Sequence, residues 1–111
     1  MDPTFTASRD IIIRVADWQR ALDFYGSILG LPVVHRAEQL VGFETGAFCL
    51  YLEPGSAHGP VFEFLVPDLP AARARLLAAG CSVLEENPEL PRCYLRDPFG
   101  MTFNIAQRRA G

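Results

Sequence analysis

The chain contains an internal repeat, and this repeat limits the folds that it can adopt. Asp17 and Gly30 bracket one helical pattern, Asp68 and Gly80 bracket a second, and the two aspartates stand 51 positions apart in 111 residues. In each half, one β-rich segment precedes the helical pattern and three follow it. A repeat of this kind predicts two copies of one supersecondary unit. The sequence therefore predicts an α+β protein made of two tandem βαβββ modules.

The ends of both helical patterns carry typical capping residues. An aspartate before the first turn accepts hydrogen bonds from unpaired amides, and a glycine after the last turn adopts the left-handed conformation easily. These signals predict a helix between Asp17 and Gly30 and a second helix over 69–79. Apolar residues at helical spacing predict the buried stripe of the first helix, namely Trp18, Ala21, Leu22, Tyr25, Ile28 and Leu29.

Short β-rich runs predict four strands in each half. They cover 11–15, 31–36, 40–44 and 47–53, then 61–66, 81–86, 92–96 and 101–106. Two prolines and two glycines within 54–60 predict a linker, so the single domain of residues 1–111 divides into a first module of about 9–53 and a second of about 61–107. One helix covers only one face of each sheet. We expect the remaining faces to form a curved mixed sheet around an open cleft that binds a ligand.

Composition argues against several kinds of partner and location. The net charge of −3 argues against nucleic acid and anionic membranes, both of which favour basic surfaces. No apolar run approaches the roughly 20 residues of a membrane span, and the first residues lack the pattern of a signal peptide. The odd number of widely spaced cysteines (Cys49, Cys81 and Cys93) predicts reduced thiols. We expect a cytoplasmic protein.

Several short motifs occur in a characteristic order along the chain. They are Val15-Ala16-Asp17, Phe24-Tyr25, Leu29-Gly30-Leu31, and the turn Asp97-Pro98-Phe99-Gly100 before the last strand. This arrangement resembles the vicinal oxygen chelate superfamily, which includes glyoxalase I, extradiol dioxygenases, fosfomycin-modifying enzymes and bleomycin-resistance proteins. The resemblance covers residues from about 9 to 107. It implies the paired βαβββ fold and, commonly, a homodimer whose ligand cleft lies near the subunit interface.

The resemblance also implies where a metal would bind. Enzymes of the superfamily place His, Glu or Gln ligands at four strand positions, which correspond here to Asp10, Tyr51, Val61 and Asn104. Valine has no donor atom, and a neutral amide is a poor ligand for a transition metal. The two histidines fall at none of these positions and are expected on the surface. We therefore expect no metal, no other cofactor and no catalytic residue.

A shifted metal site is the alternative to this interpretation. Alternation along the strands places Asp10, Glu53, Glu63 and Asn104 on cleft-facing sides, where they would form an oxygen-rich cage. In the competing interpretation, Glu53 and Glu63 pair with Arg14 or with solvent.

The side chains expected in the cleft form a mixed surface. The resemblance matches Arg14 with an arginine that grips a substrate carboxylate in glyoxalase I. Its guanidinium would contact an anionic or carbonyl group of a ligand, or would pair with Glu63. Aromatic rings are expected from Tyr51, Tyr94 and Phe43. The predicted ligand-binding residues are Asp10, Ile12, Arg14, Phe43, Tyr51, Glu53, Val61, Glu63, Tyr94 and Asn104.

Aromatic rings with few metal donors favour a non-catalytic protein that binds a small aromatic or bulky organic molecule. Within the resemblance, the members that sequester antibiotics, such as bleomycin-resistance proteins, have this pattern. The alternative is a metal-dependent lyase, isomerase or dioxygenase with a rearranged site, or with Glu63 and Tyr51 as an acid–base pair. A third possibility is a purely structural dimer. The sequence leaves open which ligand binds and whether the modules pair within or between chains.

Overall fold

A computed structural model describes residues 5–87, 89 and 92–108 of the chain. The strands are Thr6–Val15 (β1), Val33–Ala37 (β2), Leu40–Glu44 (β3), Cys49–Pro54 (β4), His58–Val66 (β5), Ser82–Asn87 (β6), Arg92–Arg96 (β7) and Thr102–Gln107 (β8). The helices are Trp18–Asp23 (α1) and Leu69–Ala78 (α2), and the π-helical segment Phe24–Ile28 continues α1. This order of elements confirms the α+β class and the two tandem βαβββ modules.

The chain divides into two compact units. The first, Arg9–Val61, contains strands in the order β2-β3-β4-β1 and is called the first module below. The second module comprises residues 5–8 and the described residues from 62 to 108, with the order β5-β8-β7-β6. In each module the first strand runs parallel to the last, whereas the remaining neighbours are antiparallel. The repeat seen in the sequence is thus a repeat of strand topology.

The core of the first module lies between its sheet and α1. Its most buried members are the strand residues Val41, Phe43 and Leu52 of β3 and β4. The helical residues that pack against them are Trp18, Ala21, Leu22 and Tyr25. Asp17 caps α1, because its Oδ1 accepts a hydrogen bond from the backbone nitrogen of Arg20 at 3.2 Å. The predicted burial of Ile28 and Leu29 is wrong, since these residues are 72% and 52% exposed. The wider π-helical turn breaks the 3.6-residue spacing on which that prediction depended.

The core of the second module lies between its sheet and α2. Its buried members are Val66, Ala72, Cys93, Leu95, Phe103 and Ile105. Asp68 caps α2 by accepting a hydrogen bond from the backbone nitrogen of Ala71 at 3.1 Å, and Gly80 follows the helix with φ of 105°. Phe5 packs against this core from the start of the chain. A cavity of about 140 Å³ beside it is lined by Phe5, Phe64, Leu76 and Phe103.

The segment expected to be a linker is partly a strand. β5 begins at His58, so residues 58–60 of the predicted linker over 54–60 belong to β5. A Cβ added at Gly59 would lie 2.9 Å from Cγ2 of Ile13. Glycine at position 59 therefore permits a close approach to β1, whereas the composition of residues 54–60 predicted a linker.

Within the described ranges, no helix has the length and apolar character that a membrane crossing requires.

Candidate ligand-binding faces

The first module presents an aromatic pair on the sheet face opposite α1. Strand register places His35, Gly42, Tyr51 and Ile12 side by side across β2, β3, β4 and β1. The ring centroids of His35 and Tyr51 lie 5.9 Å apart, within the range of favourable ring contacts. His35 is exposed and Tyr51 is partly exposed. These four residues are called the aromatic row.

Gly42 makes the aromatic row possible. A Cβ added to this residue would lie 2.8 Å from Cε1 of Tyr51 and 3.2 Å from Sγ of Cys49. The distance to Tyr51 is shorter than real side chains show, and the distance to Cys49 is unusually tight. The Tyr51 ring therefore lies across β3 in the space that a side chain at position 42 would fill.

Charged groups on β1 and β4 lie next to the aromatic row. Nε of Arg14 donates to Oε1 of Glu53 at 2.8 Å, and the side chains are 26% and 12% exposed. This ion pair confirms the expectation that Glu53 pairs with Arg14. At the opposite end of the same strand face, burial raises the pKa of Asp10, and the positive charge of Arg9 partly offsets the effect.

The second module carries a row of polar residues in β5, β8 and β7. Glu63 is in register with Asn104, which is in register with Tyr94. Nδ2 of Asn104 donates to Oε2 of Glu63 at 3.0 Å, and Oδ1 of Asn104 accepts from the backbone nitrogen of Cys93 at 2.9 Å. Beside this row, the Arg92 guanidinium lies 5.0 Å from the ring centroid of Tyr94.

Comparison with protein families decides the identity of the fold. The model of the glyoxalase-like domain family matches residues 10–106. The chain belongs to the glyoxalase-like domain family. This match confirms the resemblance to the vicinal oxygen chelate superfamily. No curated protein matches the chain significantly.

Solved structures similar to this glyoxalase-like domain include both enzymes and proteins without a stated activity. An extradiol ring-cleaving dioxygenase from B. fuscum has a TM-score of 0.71 and 19% identity over 97% of this chain and 34% of its own. The Mn(II)-bound glyoxalase from Novosphingobium aromaticivorans has a TM-score of 0.66 and 20% identity over 97% of this chain and 43% of its own. A glyoxalase/bleomycin resistance protein/dioxygenase superfamily member from Vibrio splendidus 12B01 has a TM-score of 0.67 and 19% identity. This match covers 93% of this chain and 100% of the Vibrio chain.

These likenesses concern the fold. The chain spans 34% of the dioxygenase and 43% of the Mn(II)-bound glyoxalase, and it spans the whole of the Vibrio protein.

The donor set of this glyoxalase-like domain does not fit the metal that the resemblance implies. Val61 has no donor atom and is 1% exposed. Oδ1 of Asn104, the only atom of that side chain that ligates cations well, already accepts the backbone N–H of Cys93. Among residues 5–87, 89 and 92–108, no three His, Cys, Asp or Glu side chains are grouped closely enough to hold an ion. No chemical step at these positions can be derived through a metal.

Two of the predicted ring contributions are wrong. Phe43 is 1% exposed and packs in the core of the first module, because β3 turns Val41 and Phe43 toward α1 and Gly42 toward the other face. Tyr94 is 4% exposed and lies under Arg92, so its ring forms no open wall. Val61 and Asn104 are only 1% and 4% exposed, so they also offer little surface to a ligand.

Sequence reasoning missed the role of His35. It is exposed, as a surface histidine should be, yet its ring contacts the ring of Tyr51. The available signal was Gly42: a glycine inside a strand often marks a close approach by a neighbouring group.

The thiols lie in surroundings that suppress their reactivity. Burial raises the pKa of Cys49, and its hydrogen bond to Tyr51 only partly offsets this effect. Burial is also the largest cause of the raised pKa of Cys81 and of Cys93. Because the thiolate is the nucleophilic form, these side chains are poor candidates for covalent chemistry.

Proposed function

We propose that this glyoxalase-like domain binds a small, flat organic molecule, such as an aromatic antibiotic or metabolite, and holds it without changing it chemically. The observation that supports this most strongly is the aromatic row. At Tyr51, where the resemblance implies a metal ligand, the chain has a ring that contacts a second ring. A platform of rings suits a planar ligand whose face stacks on it.

The surroundings of the aromatic row suit such a ligand. Ile12 extends the platform with an apolar side chain, being in register with Tyr51. The Arg14–Glu53 ion pair forms a polar boundary next to it. Binding sites for small organic molecules commonly combine an apolar surface with a few polar groups that fix orientation.

The chemistry of the donors argues against a metal-dependent lyase, isomerase or dioxygenase. Among the positions that the resemblance assigns to metal ligands, one is aliphatic and a second is an amide whose oxygen is already hydrogen-bonded. We therefore propose sequestration rather than turnover. The proposal includes a homodimer, as the resemblance implies, and a cytoplasmic location, which the odd number of widely spaced cysteines favours. Exposed apolar side chains in the first module support a partner surface: Phe24, Ile28, Leu29, Val33 and Val34.

The proposal is tested by screening aromatic antibiotics and metabolites through the fluorescence of Trp18 and the tyrosines. For a ligand that binds, Tyr51→Ala and His35→Ala are each expected to weaken affinity roughly two- to tenfold, since a ring contact contributes about 0.5–1.5 kcal/mol. His58→Ala, which removes the other histidine, is the matched control and should bind normally. Recovered ligand should be chemically unchanged.

Two results would contradict the proposal. The first is normal ligand affinity in both Tyr51→Ala and His35→Ala. The second is a stoichiometric metal in the purified protein, with micromolar affinity for Ni²⁺ or Zn²⁺ in a titration, because the proposed site needs no ion.

A further inference from the structure

The cavity between α2 and the sheet of the second module has walls of hydrocarbon. It measures about 140 Å³ and is lined by Phe5, Phe64, Leu76 and Phe103. All four residues belong to one compact unit, so the second module forms this cavity by itself. Three aromatic rings and one branched aliphatic side chain supply the walls, and the described lining includes no polar side chain.

These walls make water a poor occupant of the cavity. A water molecule held inside a protein needs about two to four polar partners. The backbone beside the cavity is already engaged, since the carbonyl oxygen of Leu76 accepts the N–H of Cys81 at 3.0 Å and Phe103 lies in β8, which pairs with β5 and β7. No buried side-chain nitrogen or oxygen in the described residues lacks a partner that water would have to supply. The cavity therefore favours an apolar occupant.

The volume and the walls of the cavity suit a single aromatic ring. In another protein, a cavity of about 150 Å³ lined by aliphatic and aromatic side chains stays dry and binds benzene. Here the rings of Phe64 and Phe103 already meet edge to face, with centroids 5.4 Å apart and an interplanar angle of 82°. Because aromatic rings prefer such edge contacts, a third ring of similar size would pack well against this pair.

The cavity is accessible from the surface of the second module. Phe5, Phe64 and Leu76 are partly exposed, whereas Phe103 is only 6% exposed. Phe103 therefore forms the inner wall, and the other three side chains surround the entrance. A small molecule that enters would exchange water for the dispersion contacts that an empty cavity lacks.

We propose that the second module binds a small neutral aromatic hydrocarbon, with a single ring, in the cavity lined by Phe5, Phe64, Leu76 and Phe103. This inference goes beyond the proposed function, because it assigns a second site to the other module. It holds whether or not the aromatic row binds a ligand.

The intact chain tests the proposal with benzene as the probe. In a titration followed by methyl-group NMR spectra, the Leu76 methyl signals should shift saturably, and benzene protons should show nuclear Overhauser effects to these methyl groups. Phenol has the same ring and adds a hydroxyl group for which the walls offer no partner. It should bind at least about fivefold more weakly than benzene. These measurements locate the ligand without depending on any variant.

A matched pair of substitutions tests the location a second time. Leu76→Phe adds volume inside the cavity and should weaken benzene binding at least about tenfold, because it takes the space of the guest. Leu77→Phe makes the same change at a residue that packs on the same core without lining the cavity. It should keep benzene affinity within about twofold. Tyr51→Ala, in the first module, should also leave this affinity unchanged.

Several outcomes would overturn the cavity as a ligand site. They are the absence of saturable shifts up to the solubility limit of benzene, nuclear Overhauser effects only to methyl groups outside the cavity, and full benzene affinity in Leu76→Phe. Equal affinity for phenol and benzene would contradict the apolar class of ligand.

The same experiment separates this inference from the proposed function. Benzene binding that is lost in Tyr51→Ala and kept in Leu76→Phe would support the aromatic row and overturn the cavity site. Benzene binding that is lost only in Leu76→Phe, in a protein whose aromatic row binds no ligand, would support the cavity site and contradict the proposed function.

Discussion

Gly42 is the residue on which the aromatic row of the first module depends. Glycine inside a strand normally weakens it, because glycine loses more backbone entropy on folding and has no side chain to pack. Here the missing side chain leaves the space that Tyr51 occupies, with Cε1 only 2.8 Å from a hypothetical Cβ. A side chain at position 42 would clash with the Tyr51 ring in its observed position.

We expect Gly42→Ala to lower the free energy of unfolding by about 1–3 kcal/mol, the usual cost of overpacking. Urea denaturation provides the measurement. A Tyr51→Ala background removes the ring, and the same substitution should cost clearly less there, because only the 3.2 Å approach to Sγ of Cys49 remains. An equal cost in both backgrounds would show that the ring is not the obstacle.

At the scale of residues, alternation along strands predicted some positions well and others poorly. Arg14 pairs with Glu53, as the alternative to a metal cage predicted, whereas the expected ion pair between Arg14 and Glu63 is not found among the described residues. Phe43 was placed on the wrong face, because the five-residue strand β3 carries apolar residues or glycine at four positions and so has no polar alternation from which its facing can be determined. The contact between His35 and Tyr51 depends on register across three strands, which the sequence alone does not specify.

Among the secondary-structure elements, the helix starts are determined locally. Asp17 and Asp68 each cap the helix that follows through a hydrogen bond to a backbone nitrogen three residues on. Asp97 stabilises the turn before β8 in a comparable way, since its Oδ1 accepts from the backbone nitrogens of Phe99 and Met101. Because these contacts span few residues, the sequence was sufficient to predict them.

We expect Asp17→Ala and Asp68→Ala each to lower the free energy of unfolding by about 1 kcal/mol, because each removes an N-cap hydrogen bond. Asparagine at either position should retain most of the stability. Asp23→Ala, at an exposed position in α1, is the control and should change stability by less than about 0.5 kcal/mol. A cost at only one of the two caps, measured by thermal or urea unfolding, would show that the modules do not use the same device.

Other features of the elements depend on contacts distant in sequence. The π-helical segment continues a pattern that reads as ordinary helix, and Gly26 within it lies where an added Cβ would be 3.4 Å from Cε1 of Phe43 in β3. β5 begins inside a Pro/Gly-rich run, with Gly59 against Ile13. Local composition carries no information about such neighbours, so these boundaries were not predictable.

At the scale of the whole chain, the sequence repeat and the compact units do not coincide. The repeat predicted modules of about 9–53 and 61–107, whereas residues 5–8 belong with the second module. Phe5 packs against the core that Phe103 and Ile105 help to form. A segment that precedes the first copy of the repeat therefore completes the core of the second, and no local pattern reveals this.

The cavity beside Phe5 provides a test of that assignment. Phe5→Ala would enlarge a space that already measures about 140 Å³ and should lower the free energy of unfolding by about 2–4 kcal/mol, somewhat less than for a fully buried phenylalanine. Leu76→Phe adds volume into the cavity and should be neutral or stabilising. Leu77→Phe is its control, because Leu77 packs on the same core without lining the cavity, and should cost about 1–3 kcal/mol. If urea denaturation shows no effect of Phe5→Ala, residues 5–8 contribute nothing to the second core, and the module then begins at β5 as the repeat predicted.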